Sequence, residues 1–317
     1  MLIALTRHNY TFERAVKNPG FDLRVRSYHW ALAQFALPRA TYIFTDFDRL
    51  GPWELELAAR LQRALAADGV RTLNNPARAL QRYSVLHRLH AIGFNRFRAW
   101  RADEFQMPDV FPVFLRTQAA HRGVLTDLLE TVEAAEEALR AALDEGYALR
   151  DLMFVEYCAE PVKPDLFRKL SCYRVGDRMI SGMCVHEAKW AAKYGTMGIA
   201  GEDLYADELD IVATNRFGEA LRPAFEAAAI DYGRADFAIV DGRPQVYEIN
   251  TNPHIAAIGK HPSAVRLKAD KLHFERLFES FSSVDTIAGG KPVQLTGTIF
   301  ERQRRHEWLM SRDRLIV

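Results

Sequence analysis

Glu248, Asn250 and Asn252 stand at alternate positions in YEINTNP, where an apolar stretch meets Pro253. Upstream, Arg234 and Asp236 alternate with Ala235, Phe237 and Ile239. Residues two apart in a strand share a face. Arg234 and Asp236 therefore share one face, and so do Glu248 and Asn250, with Tyr247 and Ile249 opposed to them. Two carboxylates and an amide oxygen are hard donors. Magnesium is typically held by one or two carboxylates plus substrate phosphates, with water completing the octahedron. A neighbouring arginine supplies a fixed cation for negative charge developing at a reaction centre. The chemistry these residues suggest is that of a magnesium–nucleotide site.

Whether the two polar faces coincide depends on the turn. A strict two-residue loop at Asp241–Gly242 pairs Val240 with Arg243 and sets Asp236 opposite Tyr247. That register sends Asp236 and Glu248 to opposite faces. An odd loop, such as three residues with Gly242 left-handed, brings Arg234, Asp236, Glu248 and Asn250 together. The expectation is therefore an odd-numbered or bulged loop across Val240–Pro244.

Other elements must position this hairpin. LIALT and ATYIFTDFD read as short buried strands. Between them and VRTLNN lies PWELELAARLQRALAADG, with apolar residues at helical spacing (Leu55, Leu57, Ala58, Leu61, Leu65), Pro52 at its start and Gly69 at its end. This alternation predicts a small parallel α/β lobe over 1–78. PARALQRYSVLHRLHAIG reads as a second helix, FPVFLRT as a strand, VLTDLLETVEAAEEALRAAL as a long amphipathic helix, and DLMFVEYC as a strand. RKLSCYRVGDRMISGMCVH predicts a hairpin turning at Gly176–Asp177, and a helix is expected around 264–281. The domains expected are 1–78, a lobe at 79–150, a lobe at 151–260 built on antiparallel hairpins, and helices with a basic tail at 261–317. The fold class is α/β followed by α+β.

The 317 residues are 49% hydrophobic with a net charge of +1. That length supports two or three lobes with real cores, and the charge balance argues against nucleic acid as a partner. No apolar run reaches the length of a membrane span, and MLIALTR lacks a basic region before its apolar stretch, so it reads as a first strand rather than a signal peptide. Cys158, Cys172 and Cys184 have no metal-ligand or redox spacing and read as buried thiols of a reducing compartment. A cytoplasmic protein is expected, with a homodimer as the oligomer allowed for. No histidine set has strong zinc spacing.

GRADFAIVDGRPQVYEINTNP resembles the metal-binding hairpin of ATP-grasp enzymes, especially D-alanine–D-alanine ligases and their ribosomal-protein and glutathione ligase relatives. The resemblance implies an ATP-grasp fold, with a lid lobe over 79–150 and a catalytic lobe over 151–260. It implies ATP and two magnesium ions as cofactors. Asp236, Glu248 and Asn250 would be the metal ligands, Glu248 bridging both ions, and Arg234 would face the acyl-phosphate or tetrahedral centre. VHEAKWAAKYG resembles the mobile loop whose lysine contacts the γ-phosphate, which assigns Lys189 there. MFVEYCAE resembles the adenine-holding interlobe strand, placing Glu156, Tyr157 and Cys158 at the base. Lys169 matches a region where relatives turn a basic residue to nucleotide or substrate, and His254 and Lys193 are further candidates for substrate.

The chain departs from the family pattern at two phosphate-binding lysines. One falls near Ser84 in QRYSVL, where Arg82 is two residues away. The other is Arg116 in PVFLRT, whose planar fork suits phosphate. His121 and Arg122 stand in the lid loop, which is poorer in Gly and Ser than its counterparts. The resulting expectation is an ATP-dependent ligase that joins a small-molecule or peptide carboxylate to an amine through an acyl phosphate, releasing ADP and phosphate. The alternatives are a nucleotide-binding protein of this fold without ligase activity, and a kinase.

Overall fold

The apolar runs LIAL and TYIF form adjacent parallel strands, Leu2–Leu5 and Thr41–Phe44, with every residue buried. A computed structural model describes residues 1–119, 123–256, 258–285 and 289–313, the side chains of 306–313 excepted. His121 and Arg122 lie outside the described residues. The chain divides into two compact units, one comprising 1–79, 251–256 and 278–317, the other 80–250 and 257–277.

In the first unit, Leu23–Arg26, Leu2–Leu5, Thr41–Phe44 and Thr72–Leu73 form a four-stranded parallel sheet in that order. The helix Pro52–Ala67 buries Leu57, Ala58, Leu61 and Leu65, the residues its spacing singled out. Glu54 accepts a hydrogen bond from the Gly51 N–H at 2.9 Å and closes its N-terminus. The tail forms a helix, Thr298–Asp313. Arg304 lays its guanidinium 4.5 Å from the centre of the Phe35 ring, so part of the basic face is packing rather than solvated charge.

The second unit holds two antiparallel sheets. A three-stranded sheet orders Ala99–Arg101, Leu152–Glu156 and Val113–Thr117. A larger sheet runs from Arg178–Ser181 through Leu166–Val175 and Tyr232–Val240 to the edge strand Arg243–Asn250. Val185–Glu187 and Pro161–Lys163 also pair with Leu166–Val175. Val175 pairs with Arg178, so the first hairpin turns at Gly176–Asp177 as its sequence predicts.

Two helices are shorter than their periodicity predicts. The second helix is Arg82–Ala91 only. Before it, Asn75 ties a turn, accepting the Ala77 N–H on Oδ1 at 2.9 Å and the Arg78 and Ala79 N–H groups on its carbonyl at 2.9 Å. The long amphipathic helix begins at Val132, where the Thr131 hydroxyl caps Ala134 N at 3.2 Å. The apolar residues ahead of it follow the strand Val113–Thr117 instead. Leu125 N–H donates to Leu115 O at 2.8 Å, and Leu129 N–H to Val113 O at 2.7 Å. Short apolar runs suit either element, and tertiary pairing decided between them.

Candidate active site

The turn of the second hairpin corrects the sequence reading. Val240 pairs with Arg243, so the loop is a strict two-residue turn, with Asp241 at φ 49° and Gly242 at φ 72°. Positive φ at both positions is the I′ geometry that Asp-Gly favours. That parity alone would separate Asp236 from Glu248. The register shifts further along, between Asp236 and Phe237. Phe237 pairs with Val246, but Asp236 pairs with Glu248, and Tyr247 is the extra residue of a β-bulge. Asp236 thus faces Glu248 directly, and Arg234 faces Asn250.

Asn95 holds the bulge. Its amide donates to Val246 O at 2.8 Å and accepts from Val246 N at 2.9 Å, satisfying the outer edge of the strand. The Tyr247 hydroxyl donates to Cys158 O at 2.6 Å. At the other end of the pair, a Cβ on Gly233 would fall 2.8 Å from the Asn250 carbonyl oxygen, so this approach requires glycine.

The strand Leu166–Val175 lies on the other side of Tyr232–Val240, with Ser171 opposite Asp236 and Tyr173 opposite Arg234. Lys169 shares that face and sets Nζ 3.2 Å from Asp236 Oδ2. Arg234 clamps the same carboxylate, Nε to Oδ1 at 2.7 Å and Nη2 to Oδ2 at 3.2 Å. Burial raises the Asp236 pKa, but Arg234 and Lys169 outweigh it and hold the carboxyl below the ordinary aspartate range. Burial likewise disfavours the Arg234 cation, and Asp236 with Tyr173 more than restores it.

Glu248 meets two cations. Arg82, the first residue of its helix, donates to Oε2, and Arg116 Nη2 lies 3.9 Å from the same oxygen. Arg82 Nη1 also points at the carbonyls of Thr117, Gln118 and Ala119, at 3.3, 3.2 and 3.4 Å. Arg116 is turned inward rather than past the sheet edge. Burial, then the adjacent Arg82 cation, depress its pKa well below the ordinary arginine value. Sequence reasoning placed no role on Arg82. One signal was legible, because a cation in the first helical turn opposes the helix dipole and calls for a local anion.

The remaining candidates are more dispersed. Glu156 Oε2 accepts the Arg98 N–H at 2.9 Å, Tyr157 N–H donates to Pro112 O at 2.9 Å, and the Cys158 carbonyl is taken by Tyr247. Lys189 is exposed, with no ion pair among the described residues. The segment carrying it is closed by Glu187, whose Oε1 accepts the N–H groups of Lys193, Tyr194 and Gly195 at 2.9, 2.7 and 2.7 Å. Trp190 packs on Phe114 and edge-on to Tyr157, with centroids 4.7 and 5.6 Å apart. Lys193 lies 4.9 Å from the centre of the Tyr194 ring. In the other unit, His254 packs edge-on to Tyr10, and Asn252 accepts the Thr11 hydroxyl at 2.7 Å. Asn252, third of the alternating polar residues, is thus a buried structural tie. Cys158, Cys172 and Cys184 are buried and unbridged, as expected.

Among the described residues, no three His, Cys, Asp or Glu side chains gather to hold a metal. The hairpin offers two carboxylates and the Asn250 amide. Both contacts of Glu248 fall on Oε2, which leaves Oε1 for a hard cation. Oxygen donors of this kind suit a divalent cation held together with phosphate and water.

His186, next to this segment, offers a test of the packing. Its ring is buried, opposite Arg168 in the register and near Arg266, Asp207 and Tyr205. Burial first, then the two arginines, lower its pKa to about 4. The folded state keeps it neutral, whereas the unfolded chain protonates it below about pH 6.5. Stability is therefore expected to fall as pH drops from 6.5 towards 4, with this ring contributing up to about 3 kcal/mol. Urea unfolding of the wild type and His186→Gln at pH 7 and pH 4.5 measures it. Equal pH slopes in the two proteins would exclude the effect.

No protein-family model matches the sequence, and no curated protein matches it. The order of elements, a parallel α/β unit followed by two antiparallel sheets with a polar hairpin, is the ATP-grasp fold. Solved structures that share it include the D-alanine–D-alanine ligase from Bacillus anthracis, at 13% identity over 96% of this chain and 98% of that one, with a TM-score of 0.51. The D-alanine–D-alanine ligase from Coxiella burnetii matches at 12% identity over 99% of each chain, with a TM-score of 0.50. At these identities the likeness establishes the fold. Among the described residues no helix is long and apolar enough to cross a membrane.

Proposed function

We propose that this protein is an ATP-dependent carboxylate–amine ligase that uses magnesium and releases ADP and phosphate. The observation carrying the reading is the pairing of Asp236 with Glu248 and of Arg234 with Asn250 on one face, ringed by Lys169, Arg82 and Arg116. Two carboxylates among four cations suit a polyphosphate and a hard cation together. ATP would lie between the lobes 79–150 and 151–260, its base near Glu156, Tyr157 and Cys158. Magnesium, when bound, would neutralise charge on the phosphate oxygens.

The side chains act by position and charge, because phosphoryl transfer needs little covalent help from the protein. Arg116 and Lys189 would neutralise the γ-phosphate as a substrate carboxylate oxygen attacks phosphorus and ADP departs. Lys169 would orient Asp236 and reach the same charge. An amine then attacks the acyl carbon, and Arg234 would stabilise the oxyanion before phosphate leaves.

The test begins with a thermal shift on adding ATP and magnesium. A screen of amino acids and small peptides for ADP release follows. ADP and free phosphate are expected in equal amounts only when an acid and an amine are both present. ADP with phosphate retained on the substrate would make the protein a kinase, and nucleotide binding without ADP would make it non-catalytic.

Arg116 gives a sharper check. A charge-assisted contact is worth roughly 1.5–3 kcal/mol, about ten- to a hundredfold in affinity. Arg116→Ala is expected to weaken ATP by that factor and leave adenosine nearly unchanged, and Arg116→Lys to retain much of the affinity. Calorimetric titration decides it, and equal ATP affinity in wild type and Arg116→Ala would remove Arg116 from the phosphate site.

A further inference from the structure

We propose that the Arg82 guanidinium occupies the place of one of the two expected cations, so that the site takes a single divalent ion with its nucleotide. The inference rests on the ligase reading above and concerns the metal count within it. Two-ion binding would ask Glu248 to bridge, with one carboxylate oxygen directed to each ion. Here Oε2 already carries Arg82, with Arg116 Nη2 3.9 Å away. A divalent ion on that oxygen would sit against two guanidinium groups.

Arg82 is also anchored on its far side. Nη1 lies 3.2–3.4 Å from the carbonyls of Gln118, Thr117 and Ala119, and the residue is buried. Moving the guanidinium aside for an ion would break those contacts and strand a cation in a poorly hydrated place. The other carboxylate offers no relief. Asp236 Oδ1 is taken by Arg234, and Oδ2 by Arg234 and Lys169. Among the described residues no further acid joins the pair to form a metal-binding cluster.

Of the four carboxylate oxygens, only Glu248 Oε1 carries no cation among the described residues, which suits one magnesium ion whose other positions are filled by phosphate and water. A fixed guanidinium supplies positive charge without dissociating, which a second ion cannot do. It also binds carboxylate and phosphate through a planar fork.

The experiment counts metal on the full chain. Manganese is titrated into wild type and Arg82→Gln with a non-hydrolysable ATP analogue, free manganese being read by electron paramagnetic resonance. Wild type is expected to hold one ion per chain. Arg82→Gln, freed of the charge, is expected to hold two, with dipolar coupling between neighbouring ions in its spectrum. Arg82→Lys keeps the cation and is expected to hold one. Two ions on the wild type overturn the inference, and so does a single ion on Arg82→Gln. If Arg82→Gln fails to fold, the wild-type count alone decides. Calorimetry with the analogue separates the two proposals. An analogue that does not bind the wild type defeats the ligase reading and this inference with it, whereas binding with two ions defeats only the inference.

Discussion

Glu248→Gln is expected to reduce ADP formation by on the order of a hundredfold or more, the scale seen when one preorganised electrostatic group is lost from an active site. The substitution preserves shape and removes the charge. In the proposed site Glu248 would have two tasks that need it. Oxygen donors to magnesium bind through negative charge, and Oε2 balances Arg82 and Arg116. Adenosine binding should stay nearly constant, because the residues proposed for the base, Glu156 to Cys158, have their own partners in Arg98, Pro112 and Tyr247. The measurement is ADP formation in the wild type and the variant with the best substrate pair, beside adenosine titration. Unchanged ADP formation would falsify the role assigned to Glu248. Loss of adenosine binding along with activity would show that the variant had lost its structure rather than its chemistry.

Asp236→Asn carries the largest expected effect on stability. The carboxylate is almost wholly buried and faces two partly buried cations, Arg234 and Lys169. Removing one partner of a buried ion pair typically costs about 3–5 kcal/mol, because the remaining charge is left uncompensated. For a unit of this size that corresponds to a fall of roughly 6–20 °C in Tm. Calorimetry of the two proteins at pH 7 reads it, and a difference below a degree would mean that the cations find water instead. Acid gives an independent check. The folded pKa of Asp236 is depressed, so the unfolded chain takes up its proton first as pH falls. The pair's contribution is full above the ordinary aspartate range, near pH ~4, and is lost as pH falls through the folded value below it. The gap in stability between the wild type and Asp236→Asn is therefore expected to be constant above about pH 5 and to narrow under stronger acid.

The sequence by itself determined what depends on neighbours along the chain. Alternation divided the hairpin arms into a polar and an apolar face, because side chains on a strand point alternately. Asp241–Gly242 marked where the chain turns, although the loop is the strict two-residue turn and not the odd one expected. The buried strands LIAL and TYIF and the stripe of Leu57, Ala58, Leu61 and Leu65 follow from periodicity alone. The resemblance on the hairpin pointed to the ATP-grasp fold, which the solved ligase structures share. Tertiary structure decided the register and the charge partners. The parity that joins Asp236 to Glu248 comes from a bulge at Tyr247, held by Asn95 from a distant turn, and no local signal marks it. The same holds for Arg82 on Glu248, 166 positions apart, and for Lys169 on Asp236, which depends on how a third strand is paired. Asn252 shared the alternation of Glu248 and Asn250, yet it is tied to Thr11 in the other unit. Periodicity specifies which way a side chain points, but its partner is set by chain segments that meet only on folding.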